Sequence, residues 1–495
     1  MKTKLLIILG IVIASVISLF YYVAYDSTEV FISCAPKHEQ IGDKCVLLKP
    51  EQYCTDWCDP EELYELGCDR LALDYIFMAT NLIDGKSGDP YYHDLIGLPE
   101  GLSEDEFEMC SDIIKEKRAK YDLENSEIND DFVFSLYQQI AKDNNDSNFF
   151  FSPFSISTAF SMAYEGARGN TAAQMIEAFD FPQDDKTRWN DMSETMKRLN
   201  HEKGFYALDV ANGIWLSDIH ETNPEYVDIV TTHYNGTAKS VDFVGNQGVD
   251  EINQWVKEKT RDKIQKILEH GSTDYLTLLV LTNSIYFNGE WANKFSPNNT
   301  SEESFWTGNG NTVNAQMMKI PADMFNYAET GTVQILEMPY LGHDISMLVI
   351  LPKDKNGLDF LEMSLDSDKI DEFRNMMERQ SLTVHIPKFG FESDYDLIPL
   401  LMELGVRDAF DRDSANFAGM TDKQVFLSKV KHKAFVDVHE KGTEAAAVTA
   451  LVVQNTSGPP EPRHEFIADH PFVFVIQEKA TGEILFVGRV VDPTK

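Results

Sequence analysis

The cysteines of this 495-residue chain divide it into two unequal parts. All six lie within the first 110 residues, and the 385 residues that follow contain none. A cysteine-free stretch of that length must be held together by a buried apolar core, and it is long enough to build one. The sequence therefore predicts a large core-stabilised domain preceded by a small cysteine-rich region.

An even number of clustered cysteines predicts disulfide bonds, and six cysteines allow 15 different pairings. A metal site is the alternative, although paired C-x-x-C spacing and histidines in register are missing from this region. The six disulfide candidates are Cys34, Cys45, Cys54, Cys58, Cys68 and Cys110.

Residues 5–25 form an uncharged, mostly apolar run that follows Lys2 and Lys4. A spanning helix needs about 20 apolar residues, whereas a signal-peptide core has roughly 7–15. The length predicts a retained membrane anchor over residues 1–25, with a cleaved signal as the alternative. In both interpretations the chain is exported, either to the outer face of a membrane or into the medium. Residues 26–119 would then be an acidic, cysteine-rich extracellular region, and residues 120–495 the main domain.

The formal net charge of the chain is −38. Nucleic acid, heparin-like polyanions and anionic lipid surfaces all require a basic face on the protein that binds them. The composition therefore argues against nucleic acid and heparin-like partners.

After about residue 127 the chain alternates helical and strand-like patterns with no evident linker, which predicts one mixed domain of helices and sheets. Ser152 and Pro153 start a predicted helix that stops at Gly166. The segment VDEINQWVKEKTRDKIQKIL, residues 249–268, predicts another. Alternating or β-branched runs predict strands, and the last pair of runs predicts a hairpin around Gly482.

Motifs of the common catalytic sites are missing from the sequence. There is no G-x-S-x-G elbow and no phosphate-binding loop. His464 and His470 are six residues apart, whereas a zinc-binding helix needs histidines four apart. We expect a protein that is not an enzyme and that holds no cofactor and no metal.

The segment 445–457 carries no charge, no proline and no glycine, and a Gly-Pro-Pro turn follows it. Propensity alone favours a helix over its first residues and a strand over the next. Every second residue from Thr443 to Val453 is uncharged, so one face of a strand could be buried. The turn, however, is typical of an exposed, easily cleaved loop. A segment that fits both burial and exposure indicates a protein with two conformational states.

Several motifs, in order, resemble those of the serpin family over residues 127–495, and the resemblance does not include residues 1 to about 120. They include NFFFSPFSISTAFSMAYEGARGNTAAQM, ANGIWLS, NSIYFNGEW, LEMPYLGHDISMLVILP, IPKFGFESDYDL, LSKVKHKAFVDVHEKGTEAAA and FIADHPFVFVI. The resemblance implies an α+β serpin fold with three β-sheets, eight to nine helices and an exposed reactive-centre loop.

The resemblance also implies a function, the suicide inhibition of an extracellular serine protease by a monomer. The protease cleaves the loop and forms an acyl-enzyme, and the cleaved loop then inserts into the main sheet and traps it. The alternative is a non-inhibitory serpin that acts as a binding or structural protein at the cell surface.

In that family, insertion requires a hinge without proline whose inward-facing residues are small and uncharged, and the sequence here meets that requirement. By resemblance, the hinge comprises Glu440, Gly442, Thr443, Glu444, Ala445, Ala446 and Ala447. The residues that control opening at the top of the sheet are Trp291, Lys388 and Glu440. The polar cluster under the middle of the sheet is Ser152, Ser155, Asn283 and His432.

The scissile bond follows from the usual spacing in the family. Counting from the hinge glutamate gives Thr456–Ser457, whereas counting back from His470 gives a site between Ser457 and Pro460. Proline resists most proteases, so Thr456–Ser457 is the predicted bond. Threonine there suits a shallow apolar pocket, so the predicted target is an elastase-like or subtilisin-like protease.

Overall fold

The computed structural model describes residues 130–144, 147–199, 206–443 and 464–495, and the backbone of two short hairpins before them. The chain divides into two compact units, Met1–Asn125 and Ser126–Lys495. In the first unit, β1 (Tyr25–Asp26) pairs with β2 (Glu29–Val30), and β3 (His38–Ile41) pairs with β4 (Lys44–Leu47); both pairs are antiparallel. The side chains of all six cysteines lie outside the described residues, so the disulfides stay a prediction.

The described part of the second unit contains nine α-helices, in agreement with the predicted eight to nine. They are α1 (Asp130–Asp143), α2 (Pro153–Gly166), α3 (Gly169–Phe179), α4 (Asp185–Leu199), α5 (Pro224–Tyr234), α6 (Gln247–Lys259), α7 (Leu358–Met363), α8 (Ser367–Met376) and α9 (Leu397–Glu403).

The strands of this unit belong to two hydrogen-bonded sheets. In chain order they are β5 (Phe149–Phe151), β6 (Tyr206–Ser217), β7 (Thr237–Val241), β8 (Leu279–Glu290), β9 (Ser301–Trp306), β10 (Thr312–Glu329), β11 (Val333–Pro339), β12 (Ile345–Pro352), β13 (Glu378–Pro387), β14 (Phe389–Asp396), β15 (Leu427–His439), β16 (Gly442–Thr443), β17 (His464–Ile467), β18 (Phe472–Glu478) and β19 (Ile484–Val490).

The six-stranded sheet has the order β14-β15-β16-β8-β6-β7. The nine-stranded sheet runs β17-β13-β10-β11-β12-β18-β19-β5, and β9 pairs with β10 beside this path. The resemblance implied three sheets, whereas continuous hydrogen bonding joins the described strands of this unit into two. The reason is that β10 and β13 continue their ladder past a bulge between Ile320 and Asp323, with β9 paired before the bulge and β11 after it.

Helix α2 lies between the two sheets, in contact with β6 and β8 of one and β19 of the other. It begins as predicted, with Pro153 in its first turn and the Ser152 side chain accepting a hydrogen bond from the Ser155 amide. Thirteen of its 14 residues are buried, as expected for a helix that both sheets contact. At its end, a Cβ atom on Gly166 would lie 2.1 Å from the Met420 side chain, so a larger residue there would displace Met420.

The predicted location on or outside a membrane is wrong. A membrane-spanning helix needs about 20 apolar residues. Across the residues that the structure describes, no helix is both long and apolar enough to cross a membrane, and the longest, α4, has 15 residues. The predicted anchor segment 5–25 itself lies outside the described residues, apart from the backbone of Tyr25.

Candidate functional site: a partly opened sheet

The six-stranded sheet is closed over most of its length and open at one end. Strands β8 and β15 pair directly, in parallel, over Leu279–Tyr286 and Leu427–Phe435. Beyond these residues β16 lies between the two strands and pairs antiparallel with both. The chain reaches this position by turning at Glu440 and Lys441, directly after β15. The first two residues of a further strand are therefore already in place.

Gly442 lies very close to the backbone of β8 at the open end of the sheet. It pairs with Glu290 on one side and with His439 on the other. A Cβ atom there would lie 1.9 Å from the carbonyl oxygen of Gly289 and 2.7 Å from Cα of Glu290. Only glycine allows the chain to enter the sheet at this position.

Thr443 is anchored beneath the sheet by an aromatic pair. Its side chain is 1% exposed, and its hydroxyl lies 2.7 Å from that of Tyr340. The Tyr340 ring stacks on Trp291 with centroids 4.4 Å apart. Burial raises the pKa of Tyr340 well above its ordinary value, so its hydroxyl remains protonated.

Trp291 also holds the turn that leads into β16. Its indole Nε1 donates to the carbonyl oxygen of His439 at 3.0 Å, and its backbone amide donates to that of Lys441 at 2.8 Å. The structure thus places the predicted Trp291 directly under the open end of the sheet.

Glu440 and Lys388 form an ion pair beside this turn. The Lys388 Nζ lies 3.0 Å from Oε2 of Glu440, and Thr300 donates to Oε1 at 2.9 Å. Burial alone would raise the pKa of Glu440, but hydrogen bonds from its own backbone amide, Lys388 and Thr300 outweigh it and lower the pKa. The structure brings together all three residues predicted for this end of the sheet.

The four residues predicted under the middle of the sheet also meet. His432 on β15 and Asn283 on β8 are paired in register, and their side chains are hydrogen-bonded through Nδ1 and Oδ1. Asn283 Nδ2 donates to the Ser155 carbonyl oxygen at 2.8 Å and also to the Ser155 hydroxyl. The Ser152 amide lies 3.2 Å from Nε2 of His432. The cluster therefore links both strands to the start of α2.

The hydrogen bonds assign the state of the buried His432 ring. Because Nε2 accepts from the Ser152 amide, the proton lies on Nδ1, which donates to Asn283. Burial lowers the pKa of His432 to about 3, and Asp394 opposes this shift only in part. The ring is neutral at physiological pH, and one neutral tautomer satisfies both neighbours.

Two members of the site were missed in the sequence. Asn212 on β6 accepts from Asn283 Nδ2, and Tyr340 follows β11 and binds Thr443. Both lie within motifs that resemble the family, but a motif does not show which of its side chains reach across strands. An alignment of β6 with β8 would have identified Asn212, because Asn212 and Asn283 face each other in that ladder.

The remaining predicted site residues lie outside the described part of the chain. Glu444, Ala445, Ala446, Ala447, Thr456 and Ser457 all belong to residues 444–463, which connect β16 to β17. Among the described residues, no cluster of three or more His, Cys, Asp or Glu side chains could hold a metal ion.

The sequence profile of the family described as "Serpin (serine protease inhibitor)" matches residues 127–493, and this protein therefore belongs to the serpin family. An uncharacterized serpin-like protein of Methanosarcina acetivorans is 39% identical over 378 residues, which cover 76% of this chain and 87% of the relative. The leukocyte elastase inhibitor of Xenopus laevis is 38% identical, with 73% of this chain and 97% of the inhibitor covered.

Solved structures show the same fold. Serpin48 of the insect Tenebrio molitor matches with a TM-score of 0.66 at 32% identity, over 73% of this chain and 96% of that one. Human thyroxine-binding globulin complexed with thyroxine matches with a TM-score of 0.68 at 28% identity, over 76% and 100%. The archaeal relatives are described only as serpin-like, so they give no support to a location at a membrane.

Proposed function

We propose that this serpin is a suicide-substrate inhibitor of a serine protease. The observation that carries the proposal is β16, which already lies between β8 and β15 at the open end of the sheet. A loop that begins as an inserted strand can continue inward once it is cut. Its hinge residues are small or uncharged on the face that the sheet would bury.

The register of β16 fixes how far insertion would run along β8. Gly442 pairs with Glu290, the last residue of that 12-residue strand. Continuing the antiparallel register places Val453 opposite Leu279, the first residue of β8. The uncharged segment therefore matches the length of the strand that it would pair with.

The register with β15, the other strand beside β16, sets the same limit on how far the loop can insert. Thr443 pairs with Val438 of β15, and continuing this register places Gln454 opposite Leu427, the first residue of β15. Thr456 follows shortly after the point at which both ladders end. Cleavage after Thr456 would thus leave the acyl bond at the far end of the sheet.

The same register predicts which side chains are buried. Side chains alternate between the faces of a strand, so alternate residues after Thr443 share its face. These residues, from Ala445 to Val453, are uncharged, whereas Glu444 lies on the other face. Insertion breaks one ladder, between β8 and β15, and forms two, at roughly 1 kcal/mol net for each hydrogen bond.

The trapping step is an acyl transfer that stops halfway. The protease serine Oγ attacks the carbonyl carbon of Thr456, the bond to the Ser457 nitrogen breaks, and that nitrogen leaves as an amine with the serine proton. Water would normally hydrolyse the ester. Displacing oxyanion-hole donors by pulling on the ester costs about 10²–10³ in rate for each donor.

The target we propose is elastase-like or subtilisin-like, since the Thr456 side chain is small and the residues before it are uncharged. One of the relatives is described as a leukocyte elastase inhibitor, which favours the first of these. The alternative is a carrier serpin without inhibition, as the thyroxine complex of a relative illustrates.

The test mixes the full chain with pancreatic-type elastase and with subtilisin, followed by denaturing gels and mass spectrometry. An SDS-resistant adduct together with a peptide that begins at Ser457 is the expected result. Clean cleavage without an adduct across a broad protease panel, and without a gain in thermal stability, would support the carrier alternative.

A further inference from the structure

A cavity lies away from the opened sheet, where four helices meet. It is formed by the C-terminal end of α2 and the N-terminal ends of α3, α4 and α5, and its volume is about 450 Å³. That volume lies within the roughly 300–1,000 Å³ range of small-molecule pockets. The neighbours of β16 do not line it.

One wall of the cavity is a cluster of mutually paired charges around the buried side chains of Arg188 and Glu165. Arg188 is 3% exposed and lies 2.7 Å from Glu165 and 2.6 Å from Asp185. Tyr234 donates a further hydrogen bond to Glu165. Because these groups pair with one another, they form a rigid wall. A charged ligand would therefore have to pair with other residues of the lining.

Two exposed charges of opposite sign also line the cavity. Arg168 is fixed by two hydrogen bonds from one guanidinium nitrogen to the carbonyl oxygens of Glu165 and Ala167, at 2.9 and 2.7 Å. Arg168 is also the N-cap residue of the 11-residue helix α3, whose positive end favours a carboxylate. Glu225 lies in the first turn of α5. Among the described residues, neither side chain has an ion-pair partner.

Aromatic rings complete the lining. The Tyr164 ring is packed on the Arg188 guanidinium, whose central carbon lies 4.6 Å from the centroid of that ring. The Trp189 ring is stacked on the His233 ring, and their centroids are 4.7 Å apart. Both rings are held in place from one side and line the cavity. Flat walls with one fixed cation and one exposed carboxylate match a ligand with a ring and both charges.

We propose that this cavity binds a small aromatic zwitterion, of the size of a free aromatic amino acid. Arg168 receives its carboxylate, Glu225 receives its ammonium group, and the ring packs against Tyr164 and Trp189. A purely anionic ligand fits less well, because the lining carries three carboxylates and two guanidinium groups.

Isothermal titration calorimetry of the uncleaved full chain tests the proposal with three probes that share a ring. Phenylalanine carries both charges, 3-phenylpropionate only the carboxylate, and phenethylamine only the ammonium group. We expect phenylalanine to bind saturably and at least tenfold more tightly than either fragment. No saturable heat with phenylalanine at millimolar concentration, or equal binding of all three probes, would overturn the proposal.

Charge-neutral variants assign the two ends of the ligand. Glu225→Gln should weaken phenylalanine at least tenfold and leave 3-phenylpropionate unchanged, while Arg168→Gln should abolish binding of both. Glu221→Gln, an exposed acid on the preceding loop, is the matched control and should change neither. If Arg168→Gln folds poorly, Glu225→Gln alone decides, because Glu225 is exposed; an unchanged affinity for phenylalanine in that variant would refute the assignment.

Discussion

His432 and Asn283 are hydrogen-bonded across the only direct contact line between β8 and β15 among the described residues. The inserted loop would have to part these two strands, so this bond must break during insertion. Its donor is the neutral ring of His432, which makes the sheet sensitive to acid.

The first prediction concerns pH. The pKa of His432 is lowered to about 3, below its ordinary value of 6.5, so its contribution to stability is full above pH 6.5 and is lost as the pH falls toward 3. Within this window the free energy of unfolding should fall by up to about 1.4 kcal/mol per pH unit from this group. Denaturant unfolding of the uncleaved chain at several pH values measures the slope.

His432→Gln is the matched variant, because an amide does not titrate. Its slope between pH 6.5 and 4 should be shallower than that of the native chain. Identical slopes would show that other groups cause the acid sensitivity.

The second prediction concerns the hinge. Thr443→Arg places a long charged side chain at a position that is 1% exposed, so β16 should leave the sheet and insertion should fail. We expect cleavage by the target protease with at least a tenfold loss of SDS-resistant adduct. Thr443→Ser keeps the hydroxyl near Tyr340 and should retain adduct formation; a normal adduct yield from the arginine variant would contradict the proposed insertion.

The third prediction concerns the ion pair of Lys388 and Glu440. The pair is partly exposed, so its loss should lower the free energy of unfolding by about 1 kcal/mol or less. Its kinetic effect should be larger, since it holds the turn into β16. Incubation of Lys388→Met at elevated temperature should yield a more stable, inactive form faster than the native chain does, as followed by residual inhibition and unfolding scans.

Lys423→Met is the control for the loss of a lysine, because Lys423 pairs with Asp422 on the surface away from the turn. It should inactivate at the native rate. Equal inactivation rates for the two methionine variants would show that the ion pair does not control the rate of inactivation.

The fourth prediction concerns Tyr340. Replacing it by Phe leaves the buried Thr443 hydroxyl without its partner, at a cost of about 1–3 kcal/mol. Since Thr443 already occupies the sheet before cleavage, the cleaved and uncleaved forms should lose similar stability. Unfolding of both forms measures this, with Tyr275→Phe, at a 72% exposed position, as the control that should change neither. A loss confined to one form would show that Thr443 moves on cleavage.

Much of the fold could be predicted from local pattern. The start and end of α2 and the final hairpin with Gly482 in its turn lie where the sequence placed them. These elements are signalled by capping residues, periodicity and turn residues that are close in the chain.

The predicted helix over residues 249–268 was too long. Helix α6 ends at Lys259, because Arg261 and Asp262 adopt left-handed backbone conformations. The Thr260 hydroxyl then accepts from the Ile264 amide, and the Asn253 side chain holds the backbone of Ile267. These contacts depend on tertiary packing and leave no periodic signal.

The candidate site could be predicted in part. Its polar and charged members came from the resemblance, but Asn212 and Tyr340 did not, because their roles depend on strand register. The cavity at the ends of α2–α5 gave no signal, since its lining depends on how the ends of four separate helices pack together.

The nine-stranded sheet has a consequence for the cleaved molecule. Strands β17, β18 and β19 all follow the proposed scissile bond, and β18 and β19 each lie between two neighbours in that sheet. A cut after Thr456 would therefore produce a molecule of two chains. The shorter chain, which carries β17, β18 and β19, would remain hydrogen-bonded within the sheet until the protein is denatured. Native gels should show one species where denaturing gels show two.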